Sequence, residues 1–172
     1  ALLGYCQQLF PFIEDNVLLY LGISVMVFAF FNFRNKAKTF AGDVGSMTMA
    51  YALVFALALL IIKTKNPVFI MFLSVYGIDT MLTILERIKR KENIFEAHRL
   101  HLYQLLANEA KGNRLAIALA YSIIQVLVGL VVIAFADQGI ATQIAISVSI
   151  LGVLILVYCI LKRYIKRKFM LE

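Results

Sequence analysis

"LAIALAYSIIQVLVGLVVIAFA", residues 115–136, runs for 22 positions without a charged side chain. About 20 consecutive apolar residues are enough for a helix to cross the hydrocarbon core of a bilayer. Lipid offers no hydrogen-bond partners, so the backbone of such a segment must satisfy its own polar groups, and a helix does this. The stretch therefore predicts a transmembrane helix.

The remainder of the chain has the same character. Of its 172 residues, 62% are hydrophobic and 16% are charged. In soluble domains roughly half of the residues are hydrophobic and roughly a quarter are charged. We predict an all-α fold, a polytopic transmembrane helix bundle, with residues 1–172 forming part of one integral membrane domain. It has five spans, at about 16–33, 44–62, 66–85, 115–136 and 138–161.

The positive charge is distributed as membrane topology requires. Fifteen of the 17 Lys and Arg residues lie in three segments, 34–43, 86–114 and 162–172, which all face one side if the spans alternate. The positive-inside rule assigns these segments to cytoplasmic loops. The net charge of +7 is thereby explained by topology, so we expect a lipid bilayer and no nucleic acid as partner.

A glycine-flanked aspartate precedes the second span, in "TFAGDVGSMTMAY", residues 39–51. Gly42 permits unusual backbone angles and close approach of a ligand, and the Asp43 carboxylate is a natural ligand for Mg²⁺, which usually brings phosphates with it. The alternative is a structural helix start, with Asp43 as N-cap and Gly42 in a turn. The local pattern leaves both interpretations open.

Asp79 is the one charged residue inside a predicted span. An acid within a membrane is a functional candidate by default. The alternative is an acid that faces the bundle and caps or pairs locally, for example with Arg87 two turns later.

Both histidines of the chain lie in the segment 86–114. Residues 95–110 have the pattern of an interfacial helix whose apolar side chains rest on the membrane. His98 and His101 are neighbours on one helical face, and Arg99 between them suits a phosphate-rich ligand. Two alternatives are half of a zinc site, which lacks its remaining ligands, and a basic helix that touches anionic lipid.

These segments resemble a known family. "FFNFRNKAKTFAGDVGS", residues 30–46, is similar to the loop "YNFPPAKIFMGDSGS" of the polyprenyl-phosphate N-acetylhexosamine-1-phosphate transferases. Asp79-Thr80, then Arg87, then "FEAHRLHLYQLL", residues 95–106, are similar to the next loop of that family, D-T, an arginine and F-x-x-D-R-x-H-x-H-H. The chain looks like the C-terminal half of a glycosyltransferase family 4 enzyme, of the undecaprenyl-phosphate N-acetylglucosamine-1-phosphate transferase type and in a Bacteroidetes-type variant.

The resemblance implies a Mg²⁺-dependent enzyme, with Mn²⁺ as an alternative metal, in the bacterial inner (cytoplasmic) membrane. The reaction transfers a sugar-1-phosphate, such as N-acetylglucosamine-1-phosphate, from a UDP-sugar to undecaprenyl or another polyprenyl phosphate and releases UMP. This is the first step of a lipid-linked cell-envelope glycan, for the cell wall, lipopolysaccharide, O-antigen or teichoic acid. A homodimer is one assembly to consider.

The resemblance also implies roles for single residues. Asp43 is the metal ligand and, with His101, is catalytic. Asn32, Phe40 and Gly42 shape the nucleotide pocket, with Phe40 near the uracil. The donor is bound by Arg99 and His98, and the supporting residues are Asp79 and Arg87.

The chain departs from the family at several positions. The aspartate before the arginine is His98 here, and the second and third histidines of the cluster are Tyr103 and Gln104. The family's paired acidic motif, which engages the lipid phosphate, is not in the chain. Because "ALLGYCQQLF" resembles the end of a hydrophobic helix, we expect a fragment whose upstream part carries that motif, and which is inactive alone.

Two other functions remain alternatives. A transporter or channel would use Asp79 and the histidine segment to relay protons or cations. A non-catalytic half-enzyme would lack the upstream acids and act only as a membrane partner.

Overall fold

The computed structural model describes residues 1–34, 37–96 and 99–169. These described residues are 79% helical, with seven α-helices and no strand. The α-helices are α1 Leu2–Leu9, α2 Asp15–Asn32, α3 Gly42–Thr64, α4 Ser74–Lys89, α5 Leu102–Gln104, α6 Arg114–Ala134 and α7 Ile140–Phe169. A 3₁₀ helix, Pro67–Leu73, leads into α4, and a π-helical turn, Leu105–Glu109, continues α5.

Five segments are long and apolar enough to cross a membrane: α2, α3, Pro67–Lys89, α6 and α7. They correspond one to one with the five predicted spans, and the prediction of an all-α, multi-pass membrane protein is confirmed. The spans could be predicted because each depends only on its own segment: on its apolar length and on the need of a backbone in lipid to satisfy its own hydrogen bonds.

The predicted loops were too long at two places. Residues 86–89 belong to α4 and residues 162–169 belong to α7, so both helices continue into the basic segments. Lys162, assigned to a loop, is 5% exposed within α7. The charge that marked the end of a span is tolerated in the helix because Glu86 of α4 pairs with it, as described below.

The predicted interfacial helix over 95–110 was also wrong in its first half. Within the described part of this segment, helical structure begins only at Leu102 and ends at Glu109. Residues 94–96 form a turn and bend, because the Arg87 guanidinium binds the carbonyl oxygens of Ile94 and Glu96 and so competes with a helical ladder.

The chain divides into two compact units. The first comprises Ala1–Ile70 and Gly129–Asp137. Gln7 is buried and closes the α1–α2 turn, since its amide donates to Ile13 O at 2.6 Å and its oxygen accepts from Phe12 N at 3.1 Å. Leu2 packs directly on Gly129, where a Cβ would come within 2.4 Å of a Leu2 methyl carbon.

The second unit comprises Met71–Val128 and Gln138–Glu172 and contains α4, α5, most of α6 and α7. Its core consists of apolar side chains from α4, α5, the π-helical turn and α7. These are Ile78, Leu102, Leu105, Tyr158 and Ile165. The short helix α5 is therefore anchored by burial of Leu102 rather than by its own length.

Gln125 of α6 repairs a break in the backbone of the third span. Where the 3₁₀ helix changes to α4, an α-helical bond from Val75 N to Met71 O would be expected from the spacing. The Gln125 side chain bridges these two groups instead: its oxygen accepts from Val75 N at 3.0 Å and its nitrogen donates to Met71 O at 3.1 Å. A polar side chain thus satisfies backbone groups that lipid would leave without partners.

We expect Gln125→Leu to destabilise the protein by about 2 kcal/mol, because two partly buried backbone groups lose their partners at nearly constant side-chain volume. Thermal unfolding of the detergent-solubilised protein measures this. Gln138→Leu, at an exposed position between α6 and α7, is the matched control and should unfold like wild type. Equal stability of the two variants would contradict the bridging role.

Candidate functional site

Asp79 is the centre of a polar cluster in the second unit. It lies on α4 and is 2% exposed. Its Oδ1 accepts hydrogen bonds from Leu102 N at 2.9 Å and Thr83 Oγ1 at 3.4 Å, and its Oδ2 accepts from Tyr103 N at 3.4 Å and Tyr121 Oη at 3.1 Å. Four donors converge on one carboxylate, which compensates the cost of burying it.

The Asp79 carboxylate caps a helix from another part of the chain. The first N–H groups of a helix have no partner within it, and those of Leu102 and Tyr103 at the start of α5 donate to Asp79. A negative charge at this end also interacts favourably with the helix dipole. Asp79 thus caps α5, and Arg87, the partner considered from the sequence, binds Glu92 instead.

His101 stands immediately before α5 and beside Asp79. Its Nδ1 lies 3.5 Å from Asp79 Oδ1, and its ring stacks on that of Tyr103 with centroids 5.7 Å apart. The imidazole ring therefore lies between the Asp79 carboxylate and the Tyr103 ring.

A second polar group joins α4 to α7. Lys162 donates to Tyr158 Oη at 2.6 Å and to Thr83 Oγ1 at 3.3 Å, and its ammonium pairs with Glu86 Oε2 at 2.9 Å. Lys166 pairs with the other Glu86 oxygen. Because Tyr158 Oη is also 3.0 Å from Thr83 Oγ1, this group is continuous with the Asp79 cluster.

Arg87 has a different partner from the one considered above. It is 3% exposed, and its Nε donates to Glu92 Oε2 at 3.1 Å. Its two terminal nitrogens donate to the carbonyl oxygens of Asn93, Ile94 and Glu96. Arg87 therefore fixes the turn that follows α4, upstream of the histidine segment.

Arg99 lines an open cleft of about 620 Å³ in the second unit, a volume typical of small-molecule sites. Neither Arg99 nor Arg114 forms an ion pair with any residue that the structure describes. Guanidinium groups that line a cleft are suited to phosphate. The polar lining is made by Tyr76, Arg99, Tyr103, Gln104, Asn108 and Arg114.

A more apolar cavity of about 340 Å³ lies beside the Asp79 cluster. Its polar lining includes Asp79, Tyr121 and Tyr158, and most of the remaining wall is aliphatic. Tyr121 lines both this cavity and the cleft.

The predicted residues of the glycine-flanked loop belong to the first unit. Asn32 is the last residue of α2, and Phe40 is 93% exposed. Gly42 has φ +63°, a backbone conformation that other residues rarely adopt. Asp43 is exposed in the first turn of α3, and the N-cap position is Ala41, so the alternative interpretation of Asp43 as N-cap is wrong.

Within the second unit, the structure brings Asp79 and His101 together, and Arg99 lines a cleft with Tyr103, whose ring stacks on His101. Arg87 shares α4 with Asp79 but binds its own turn. Four further predicted residues belong to the first unit: Asn32, Phe40, Gly42 and Asp43. His98 lies outside the described residues.

A metal would have few protein ligands here. Among the described residues, no group of three or more His, Cys, Asp or Glu side chains is placed to hold a metal ion. Mg²⁺ needs only one or two carboxylates when phosphates and water complete its shell. The exposed Asp43 carboxylate, which has no hydrogen bond or ion pair with the described residues, fits that role as a single ligand.

Tyr103 is a phenol at the position where the sequence resemblance would lead one to expect a histidine. Burial, together with the nearby Tyr76 and Asp79, raises the pKa of the Tyr103 phenol above its usual value. A tyrosine with a raised pKa stays neutral near pH 7. This position therefore offers a hydrogen-bonding hydroxyl and no titrating group near neutral pH.

Sequence reasoning missed the residues that connect Asp79 to α7. The spacing contained a signal, because Asp79, Thr83 and Glu86 recur at helical intervals on α4, as Tyr158, Lys162 and Lys166 do on α7. Tyr121 had no such signal and joins the cluster only through tertiary packing.

Comparisons with protein-family models, with curated proteins and with solved structures each yield no match to this chain.

Proposed function

We propose that this chain is the C-terminal part of a membrane-bound, Mg²⁺-dependent transferase that moves a sugar-1-phosphate from a UDP-sugar to a polyprenyl phosphate. The observation that carries the proposal is the contact between two sequence motifs. Asp79 of the Asp-Thr motif and His101 of the histidine segment are 22 positions apart in the sequence. The Asp79 carboxylate nevertheless accepts hydrogen bonds from Leu102 N and Tyr103 N, which directly follow His101. Motifs that serve one reaction are expected to meet in space, and these two do.

The chemistry needs little covalent participation by the protein. Phosphoryl transfer depends on positioning the reactants and stabilising negative charge. His101, Arg99 and Arg114 are cationic or hydrogen-bonding groups at or near one cleft, and in this proposal Arg99 and His101 bind the phosphates of the donor. Arg114, at the start of α6, adds a positive charge that the resemblance did not include.

In this proposal the glycine-flanked loop, which belongs to the first unit, supplies the metal ligand. Asp43 would hold one coordination position of Mg²⁺, which neutralises phosphate charge when bound. Phe40 presents an exposed aromatic ring suited to stacking on a base, and Gly42, with φ +63°, is the first residue of α3. Asn32 and His98 complete the proposed donor-binding set, with both loops on the cytoplasmic face of a bacterial inner membrane.

The direct test is UMP release by the purified full-length protein with a UDP-sugar, undecaprenyl phosphate and Mg²⁺. We expect release that depends on both substrates and stops with a chelator. Substituting UDP-N-acetylgalactosamine and UDP-glucose for UDP-N-acetylglucosamine measures the sugar preference. Absence of UMP release with all three donors would reject the transferase proposal.

Cation or proton transport is a second candidate, favoured by the buried ionisable residues on two spans. Asp79 and Lys162 are each at most 5% exposed and are connected through hydroxyl groups. A relay of this kind predicts that protein-containing liposomes dissipate a proton or cation gradient. Gradient loss without UMP release would favour the transporter, and absence of both activities would favour the non-catalytic partner.

A further inference from the structure

The hydrogen bonds between α7 and Asp79 can form only one ordered chain when all links are made. Lys162 has donors only, so it donates to Tyr158 Oη. Thr83 Oγ1 donates its single proton to Asp79 Oδ1 at 3.4 Å. The Tyr158 proton is then directed to Thr83 Oγ1, 3.0 Å away. Every donor in the sequence Lys162, Tyr158, Thr83 points toward the Asp79 carboxylate.

This chain is shielded from solvent. Thr83 is 0%, Asp79 2%, Lys162 5% and Tyr158 7% exposed. Glu86 neutralises Lys162, which makes a buried ammonium tolerable. Buried networks in which every member is satisfied are rigid, because loss of any one bond leaves a polar group without a partner.

We propose that Tyr158 and Lys162 are positioning residues: through Thr83 they fix the Asp79 carboxylate, and through Asp79 they fix the start of α5 and His101. The positioning of Asp79, α5 and His101 is inferred from the contacts alone. Only its consequence for sugar-phosphate transfer rests on the proposed function. The last helix of the chain thereby takes part in the site, although none of its side chains was a candidate from the sequence.

Tyr158→Phe tests this with the smallest change, since it removes one hydroxyl group and keeps the ring. We expect the backbone amides in peptides covering residues 99–105 to exchange hydrogen about five- to tenfold faster, as loss of one buried hydrogen bond predicts. Tyr164→Phe is the matched control, because Tyr164 is on the same helix and 60% exposed; its exchange should equal that of wild type.

Lys162 is tested by a pair of variants. Lys162→Met should accelerate exchange in the same peptides, and Lys162→Arg, which retains a buried donor, should restore much of the protection. In the transfer assay Tyr158→Phe should lower kcat by about tenfold with KM for the UDP-sugar changed less than twofold, because the ligand groups remain and only their alignment is affected.

The outcomes separate the two proposals. Unchanged exchange at residues 99–105 in both Tyr158→Phe and Lys162→Met would overturn the positioning role, whatever the activity. Faster exchange spread evenly over α4 and α7 would also overturn it, since that indicates a general loss of stability. If exchange were faster only at residues 99–105 in the variants, and the wild-type protein released no UMP, the positioning role would stand and the transferase proposal would be rejected.

Discussion

Asp43→Asn in the full-length protein is expected to reduce Mg²⁺-dependent UMP release by at least about 100-fold. Substitution of residues that merely support metal ligands costs 10- to 100-fold, and a direct ligand should cost more. Asn keeps the size of the side chain and removes its charge. Since Asp43 is exposed on the first turn of α3 and its side chain contacts no partner among the described residues, the fold should not change.

Asp137→Asn is the control for Asp43→Asn, because Asp137 is also exposed and lies between two spans. It should retain wild-type turnover. Initial rates across a Mg²⁺ titration distinguish weaker metal binding from lost chemistry, since only the former is partly restored at high Mg²⁺. Near-normal turnover of Asp43→Asn at low Mg²⁺ would remove Asp43 from the proposed metal site.

Asp79→Ala should have the largest effect on stability. The substitution leaves the N–H groups of Leu102 and Tyr103 and the hydroxyls of Thr83 and Tyr121 without their acceptor in a buried site. Each buried group that loses its partner costs about 1–3 kcal/mol. Allowing for relaxation, we expect a loss of about 3 kcal/mol or more, measured by thermal unfolding in detergent.

Asp79→Asn separates charge from shape at the same position. Asn retains one acceptor oxygen but places an NH₂ group opposite donors. We therefore expect a smaller loss of stability than for Asp79→Ala, together with faster amide hydrogen exchange at the start of α5. Asp137→Ala provides the exposed control and should unfold like wild type. If Asp79→Ala were as stable as that control, the capping role of Asp79 would be rejected.

The site could be predicted in part because some of its signals are local. Asp79 was identifiable as a charge inside an apolar run, and His101 by its neighbours Arg99 and His98 in the sequence. Their contact depends on α5 packing against α4 through Leu102, which no spacing rule encodes. The alternative in which Asp79 pairs with Arg87 was wrong, since Arg87 binds Glu92 and the carbonyl groups of the following turn, which are closer in the chain than Asp79.

The sequence by itself determined the number, type and approximate limits of the membrane-spanning helices. Each depends on the apolar length of one segment and on the rule that a backbone in lipid must satisfy itself. Only the tertiary structure decided which polar side chains are buried and which partners they have. Lys162 was assigned to a loop because an ammonium alone would be costly within a span, and it is buried because Glu86, 76 positions away, neutralises it. Whether a buried charge is tolerated depends on its partners in space.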